Sequence, residues 1–218
     1  MAFMTLNTEQ ATKVSEGGSY INKSGIYDVT LLAPIVETNA KGAQSLNFYV
    51  DFEDKPQVIY SNLKLHNNDG SESFEMEVIQ RLIAVAELTD VASPVEATLP
   101  IGPKEADKDV LILEDFADLD LKIRIQMQYS VWNNDIKERK VVKNFYRADG
   151  ASAAEVVNAT DVGIQLAKDE NYATNVTYKD GLTEEDITKW VTDGRPKNSF
   201  GGTATAASAA PKRRFGAK

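Results

Sequence analysis

Residues 119–147 read LDLKIRIQMQYSVWNNDIKERKVVKNFYR, and this stretch decides the fold class. Every odd-numbered position up to 131 is apolar or aromatic, whereas the even-numbered positions are polar or charged, Trp132 excepted. Strict alternation over this length predicts a β-strand with one buried and one exposed face. The Asn-Asn-Asp sequence at 133–135 predicts a hairpin turn, after which residues 137–147 return as a second strand.

Three further strands and a helix are predicted upstream of this hairpin. The strands are rich in alternating apolar and β-branched residues and cover residues 26–38, 45–54 and 57–65. A helix over residues 74–88 is indicated by apolar residues at helical spacing, namely Phe74, Val78, Leu82 and Val85. The prolines between residues 93 and 103 predict an irregular segment, and residues 110–113 predict a short edge strand.

Two short helices are predicted after the hairpin. One covers residues 152–159, and the other covers residues 182–191, where Thr183 and Asp186 have the spacing of a capping box. The resulting β-β-β-α-β-β order predicts a mainly β protein. It is that of a five-stranded, oligonucleotide-binding-like Greek-key barrel with a helix after strand three and short C-terminal helices.

Four regions follow from this interpretation. Residues 1–24 are predicted to be a flexible N-terminal arm and residues 25–160 the barrel domain. Residues 161–193 are predicted to be a helical extension, and residues 194–218 a disordered basic tail.

Composition argues against catalysis. The absence of cysteine removes disulfides, thiolate nucleophiles and thiolate-bound metals. The single histidine, His66, lies in a polar turn, and no G-x-S-x-G, P-loop or G-x-G-x-x-G motif occurs. We therefore predict no catalytic residue, no metal and no cofactor. The N-terminus has no signal-peptide pattern and no apolar span occurs, which predicts a cytoplasmic protein without a membrane partner.

Charge is unevenly distributed along this chain of net charge −9. Residues 1–118 carry a net −12 and residues 148–193 a net −7, whereas residues 119–147 carry +4 and residues 194–218 carry +6. Because salt screens charges beyond roughly 10 Å, a local basic zone can bind phosphates on an acidic protein.

Aromatic and basic residues are predicted to share the outward face of the sheet. On β-strand five, Lys143, Phe145 and Arg147 are assigned outward because they continue the basic pattern. Bases stack on rings while cations follow phosphates, so such a face suits an unpaired nucleic-acid strand. The alternative is a solvated face whose aromatics support cross-strand packing. The predicted interface consists of Tyr49, Tyr60, Lys64, Lys122, Arg124, Trp132, Lys140, Lys143, Phe145 and Arg147.

The tail repeats the pattern P-K-x-x-F-G at residues 196–201 and 211–216, on either side of a small-residue linker. Duplicated motifs on a flexible tether are typical of bivalent contact with nucleic acid or of docking onto a partner protein. The alternative is an unstructured, solubilising end. The residues predicted to make the contact are Lys197, Phe200, Lys212, Arg213, Arg214 and Phe215.

Three segments carry a resemblance to a known family, namely SGIYDVTLLAPIVETNAKGAQSLNFYVDF (24–52), LDLKIRIQMQYSVW (119–132) and NFYRADGASAAEV (144–156). Together they resemble phage-encoded single-stranded DNA-binding proteins with an oligonucleotide-binding fold. The resemblance covers residues 24–160 and implies sequence-tolerant coating of single strands during replication, recombination or repair. Many such proteins end in an acidic tail that recruits replication partners, whereas this chain ends in the basic PKRRFGAK.

The leading hypothesis is therefore non-catalytic binding of single-stranded DNA, with replication or recombination proteins as further partners through the tail. An exposed sheet edge and the tail also allow a homo-oligomer. One alternative is a phage structural or adaptor protein that binds only proteins. The other is a Mg²⁺-dependent nuclease that uses the carboxylates between Asp115 and Asp120.

Overall fold

A computed structural model describes residues 20–67, 69–102 and 105–193. Over these residues the chain is mainly β, with eight strands in one sheet and four α-helices, which confirms the predicted fold class at this level. The strands are β1 (Gly25–Thr38), β2 (Gln44–Phe52), β3 (Lys55–Lys64), β4 (Val95–Leu99), β5 (Lys108–Ile112), β6 (Leu119–Trp132), β7 (Asp135–Arg147) and β8 (Thr177–Tyr178). The helices are α1 (Met76–Val85), α2 (Ala153–Asn158), α3 (Ile164–Glu170) and α4 (Glu184–Thr192), and a 3₁₀ turn covers Glu114–Phe116.

Strand β1 organises the sheet because it pairs with three other strands, all antiparallel. Residues 30–38 pair with β2, residues 25–31 pair with β6, and Ile35 and Val36 pair with β5. Since β2 also pairs with β3 and β6 with β7, the five longest strands have the order β3-β2-β1-β6-β7. The predicted hairpin over residues 119–147 is confirmed as β6 and β7, and α1 follows β3 as expected.

The sheet has eight strands and is not closed into a barrel, so it differs from the predicted five-stranded barrel in strand number and in closure. Within the described residues, no ladder of hydrogen bonds joins β3 to β7. The register between β2 and β3 is interrupted opposite Asn47, and Asn62 there adopts a left-handed conformation with φ 49°. This bulge frees β3 carbonyls, and the guanidinium of Arg139 on β7 donates hydrogen bonds to those of Ser61 and Asn62.

One large apolar cluster fills the inner side of the sheet. Phe48, Ile123 and Phe145 are fully buried in it, and Ile79, Leu82 and Val85 of α1 cover it. The helix begins later than the sequence predicted. Phe74 precedes it and is 84% exposed, so its assignment to the apolar helix face is wrong.

The segment predicted to be irregular contains strand β4, which forms a hairpin with β5. This hairpin pairs with the second half of β1 and packs against side chains of β1 and β2 that point away from the main cluster. Tyr49 is buried there with Ala97 and Ile112. Its predicted exposure on the outer face is therefore wrong, because the hairpin adds a second apolar layer.

The ends of the described chain pack onto β6. Within the predicted N-terminal arm, Ile21 is buried in the main cluster and the hydroxyl of Ser24 accepts from the N–H of Met127, while residues 1–19 lie outside the described residues. At the other end, β8 pairs in parallel with residues 128–129 of β6, and α4 packs Ile187 against the inner side of the hairpin. The capping box predicted at Thr183 is confirmed. No helix in the described ranges is both long and apolar enough to cross a membrane.

Candidate nucleic-acid interface

The outer face of the β6–β7 hairpin is the surface that the sequence analysis singled out. Odd-numbered residues of β6 from 121 to 129 are buried while the even-numbered ones are partly exposed, as the alternation predicts. We use the name hairpin face for seven residues, namely Arg124, Gln126, Gln128 and Trp132 of β6, Arg139 and Lys143 of β7, and Lys179 after β8. From residue 124 to residue 132 this face is about 26 Å long at roughly 3.3 Å per residue.

Trp132 lies at the tip of the hairpin and is 67% exposed. The turn that follows it has left-handed conformations at both Asn133 (φ 52°) and Asn134 (φ 59°). This is the two-residue turn geometry that matches the twist of an antiparallel pair, and asparagine tolerates it well. The indole is therefore presented to solvent at the tip of the hairpin.

A bulge at Lys143 changes the orientation of the following residues. Arg124 lies opposite Asn144 while Ile125 lies opposite Val142, so Lys143 is an extra residue in β7. Val142 and Phe145 consequently both point inward, three positions apart. Phe145 is fully buried, and its ring centroid lies 5.3 Å from that of Phe48 in an edge-to-face contact. The prediction that Phe145 points outward is therefore wrong.

Several predicted phosphate-binding residues form ion pairs within the protein. Lys122 pairs with Asp28, and Arg147 pairs with both Asp149 and Glu87. Hydrogen bonds with Asp149 and Glu87 raise the pKa of Arg147, and the bond from Arg147 lowers the pKa of Asp149. These cations lie beyond the hairpin face, and their charge is already balanced.

Lys143 concentrates positive charge at the middle of the hairpin face. Burial, followed by the neighbouring charges of Arg124, Lys179 and Arg139, lowers the pKa of its ammonium group. Within the described residues, neither Lys143 nor Lys179 forms an ion pair. Bringing an anion to this position would relieve repulsion among the four cations.

Helix α3 covers the upper end of the hairpin face, which is the end at Arg124, opposite Trp132. The carboxylate of Asp169 accepts hydrogen bonds from the side chains of Arg124, Asn144, Tyr146 and Gln165. Burial would raise the pKa of Asp169, but hydrogen bonds from Tyr146 and Asn144 and the charge of Arg124 bring it below its ordinary value. The same environment, burial first and then Asp169, raises the pKa of Tyr146.

Three other predicted residues lie apart from this face. Tyr60 is half-buried on β3, where burial and then the charge of Glu37 raise its pKa. Lys64 is exposed at the end of β3, and its backbone N–H donates to Glu75 at 2.6 Å. Lys140 lies opposite Met127, on the other side of β7 from Arg139. The tail residues, from Lys197 to Phe215, lie outside the described residues.

Lys179 was not predicted as a site residue. It reaches the hairpin face because Thr177 of β8 lies beside Gln128, and the N–H of Lys179 donates to the carbonyl of Tyr129 at 2.9 Å. No local pattern signals this position, since a two-residue parallel strand is too short to be recognised from alternation. Its cationic side chain is exposed.

Two of the carboxylates of the nuclease alternative have structural partners. Asp115 accepts a hydrogen bond from the N–H of Ala92 at 2.6 Å, and Asp120 accepts one from the hydroxyl of Thr30 at 2.6 Å. In the part of the chain that the structure describes, no three histidine or carboxylate side chains are grouped closely enough to hold a metal.

Comparison of the sequence with models of known protein families and with curated proteins found no match. The geometry of the hairpin face is therefore the basis on which a function can be assigned.

Proposed function

We propose that this protein binds single-stranded DNA, without sequence preference, on the hairpin face. The observation that carries the proposal is that a group of cations around Lys143 shares one face with the exposed Trp132. Two of these cations, Lys143 and Lys179, have no ion-pair partner in the described residues. The order β3-β2-β1-β6-β7, with a helix after β3, supports the proposal, because it is compatible with the strand and helix order predicted for an oligonucleotide-binding-like barrel.

In this proposal the cations position the sugar–phosphate backbone and the indole holds a base. Lys143 and Lys179 contact phosphates on either side of β6, while a base stacks on Trp132. Such stacking contributes about 1–3 kcal/mol and is tolerant of sequence, because every base has a π-face. Gln126 and Gln128, half-buried between the cations, offer amide groups to sugars and base edges.

The salt dependence of DNA binding follows from the two cations of the hairpin face that have no ion-pair partner in the described residues. Each phosphate contact to a single strand contributes a slope of about −0.7 in log K against log salt. Two contacts from Lys143 and Lys179 therefore predict a slope of about −1.4. The acidic remainder of the protein, with its net −12 over residues 1–118, limits binding to this face.

The test is a fluorescence-anisotropy titration of labelled oligo(dT), single-stranded and duplex, at two salt concentrations. Trp132→Ala should weaken single-strand binding about 5- to 150-fold, the equivalent of about 1–3 kcal/mol. Tyr20→Ala is the matched control, because Tyr20 is also an exposed aromatic residue, and its ring contacts Lys55 at the start of β3 and not the hairpin face. Equal affinities for these two variants would remove Trp132 from the interface, and no binding by the wild type at low salt would refute the proposal.

The cations are tested by a charge-matched pair of double variants. Lys143→Gln with Lys179→Gln should flatten the salt slope, whereas Lys41→Gln with Lys189→Gln, both exposed and away from the face, should not. Equal slopes for the two double variants would contradict the assignment of phosphates to the hairpin face.

Protein binding is the second candidate, and one observation favours it. Val157, Val162 and Ile164, on and between α2 and α3, are 72%, 48% and 51% exposed. Exposed apolar side chains close together in sequence are frequent at protein-binding surfaces. An adaptor would show no salt-sensitive affinity for oligo(dT), so the first titration separates the two functions. Contacts of the tail with replication or recombination proteins remain a prediction.

A further inference from the structure

Asp169 makes the main side-chain contact between α3 and the hairpin face, and just after the helix the carbonyl of Tyr172 accepts a hydrogen bond from Arg124 Nη2 at 3.5 Å. Arg124 Nη1 lies 2.9 Å from Asp169 Oδ1, and the side-chain exposures of the two residues are only 16% and 14%. Asn144 Nδ2 donates to Asp169 Oδ2 at 3.3 Å, and the hydroxyl of Tyr146 donates to the same oxygen. Three donors from β6 and β7 thus converge on one anionic group.

These three donors form a set that suits a phosphate as well as a carboxylate. A guanidinium, an amide and a phenol bind anionic oxygens in a fixed geometry, and charge-assisted bonds of this kind are the strong ones. The set also lies directly beside the proposed DNA-binding surface, since Arg124 belongs to the hairpin face and acts on the pKa of Lys143.

Apart from this contact, α3 is held by few apolar contacts, among them that of Leu166 with Gly150. It has seven residues, none of them buried, and Gly163 at its start makes no side-chain cap. Elements with few buried apolar contacts open at low free-energy cost. The beginning of α3 is fixed differently, because Glu155 accepts hydrogen bonds from the N–H groups of Gly163 and Gln165 at 3.2 and 2.9 Å. The end that carries Asp169 can therefore leave the sheet while the beginning stays attached.

From this geometry we infer that Arg124, Asn144 and Tyr146 form a phosphodiester site that Asp169 occupies until single-stranded DNA displaces it. Helix α3 then acts as a displaceable cover, and it extends the DNA path from Lys143 toward the upper end of the hairpin face. The inference rests on the proposed function and adds a phosphate contact and a means of regulation to it.

The first test compares Asp169→Asn with Glu170→Gln in the oligo(dT) titration. Both variants remove one negative charge from α3, but Glu170 is exposed and takes no part in the contact with Arg124. Asp169→Asn should bind about tenfold more tightly than Glu170→Gln, since a hydrogen bond to a charged group is worth about that factor. The salt slope should steepen by about 0.7 for the added phosphate.

Adding Arg124→Gln to Asp169→Asn should abolish the gain in affinity. A role for Asp169 in structure alone cannot produce tighter binding and a steeper slope together. Asp169→Asn binding no better than Glu170→Gln would overturn the inference. The proposed function would still stand if the wild type binds oligo(dT) with dependence on Trp132, so the two failures are distinguishable. No binding by the wild type or by either variant would refute both.

Hydrogen exchange of the wild-type protein supplies a test that needs no variant. Saturating oligo(dT) should accelerate exchange of the amides of residues 164–170, because α3 leaves the sheet, while it protects amides of β7. Unchanged or slower exchange in α3 would overturn the inference even if the variants fail to fold.

Discussion

Arg139 should link the two edges of the open sheet, β7 and β3, which we call the seam. Arg139→Met is therefore predicted to destabilise the protein strongly. Its Nε and Nη2 donate to the carbonyl of Ser61 at 3.0 and 2.6 Å, and Nη2 also donates to the carbonyl of Asn62 at 3.1 Å. Nη2 lies 3.5 Å from a carboxylate oxygen of Glu75, whose side chain is 13% exposed. One guanidinium therefore joins β7 to β3 and to the segment before α1.

The expected loss can be worked from these contacts. A hydrogen bond from a charged donor contributes about 1.5–3 kcal/mol, but the two bonds to Ser61 share one acceptor and the site is partly exposed. Two carbonyls lose a donor, and Glu75 loses a cationic partner but keeps the N–H of Lys64. We expect Arg139→Met to lower the free energy of unfolding by about 2–4 kcal/mol. Arg139→Lys should recover part of this loss, since an ammonium group keeps the charge but lacks the guanidinium fork.

Urea unfolding followed by circular dichroism measures the loss. Arg147→Met is the control, because Arg147 also forms two ion pairs, but these are exposed and should affect the midpoint little. Hydrogen exchange of β3 amides should accelerate in Arg139→Met. A loss below about 1 kcal/mol with unchanged exchange in β3 would refute the assignment of the seam to Arg139.

Two further predictions concern the core and the C-terminal helices. Phe145→Ala should lower the free energy of unfolding by about 3–5 kcal/mol, because the ring is fully buried against Phe48. Phe145→Leu, in contrast, should fold and keep its affinity for oligo(dT). Loss of affinity in a stable Phe145→Leu protein would contradict the inward orientation. Burial opposes ionisation of Glu155, but hydrogen bonds from backbone N–H groups lower its pKa from an ordinary 4.5 to about 2. Since the folded pKa lies below the unfolded one, this stabilisation is complete above about pH 5 and is lost as the pH falls toward 2. Glu155→Gln should therefore be less stable than the wild type in urea at pH 7 but not at pH 2, and an equal difference at both pH values would contradict this assignment.

Sequence patterns correctly predicted the elements whose conformation is determined by residues close together in the chain. The alternation from Leu119 to Val131 and the turn at Asn133 specify β6, its buried face and the hairpin. The capping box at Thr183 specifies the start of α4. In each case the determining residues lie within a few positions of one another, so pattern and structure agree.

The errors in the predicted site come from one bulge and from contacts between distant parts of the chain. Phe145 turns inward because a single extra residue, Lys143, shifts the parity of β7, and alternation cannot place such a bulge in advance. Tyr49 points to the side of β2 away from the main apolar cluster, as the alternation indicates, yet the β4–β5 hairpin covers it. Arg124 has the predicted orientation, but its pairing with Asp169, 45 residues later, removes it from the free cations.

The pairing of β1 with β6 has a consequence for synthesis of the protein. Asp28 on β1 meets Lys122 on β6 across 94 residues of chain. At translation rates of about 5–20 residues per second, the first half of β1 waits roughly 5–20 s for its partner to leave the ribosome. During that time a strand edge with Val29 and Leu31 stays open to other nascent chains. Yield of folded protein should therefore depend on chaperones that bind extended apolar segments.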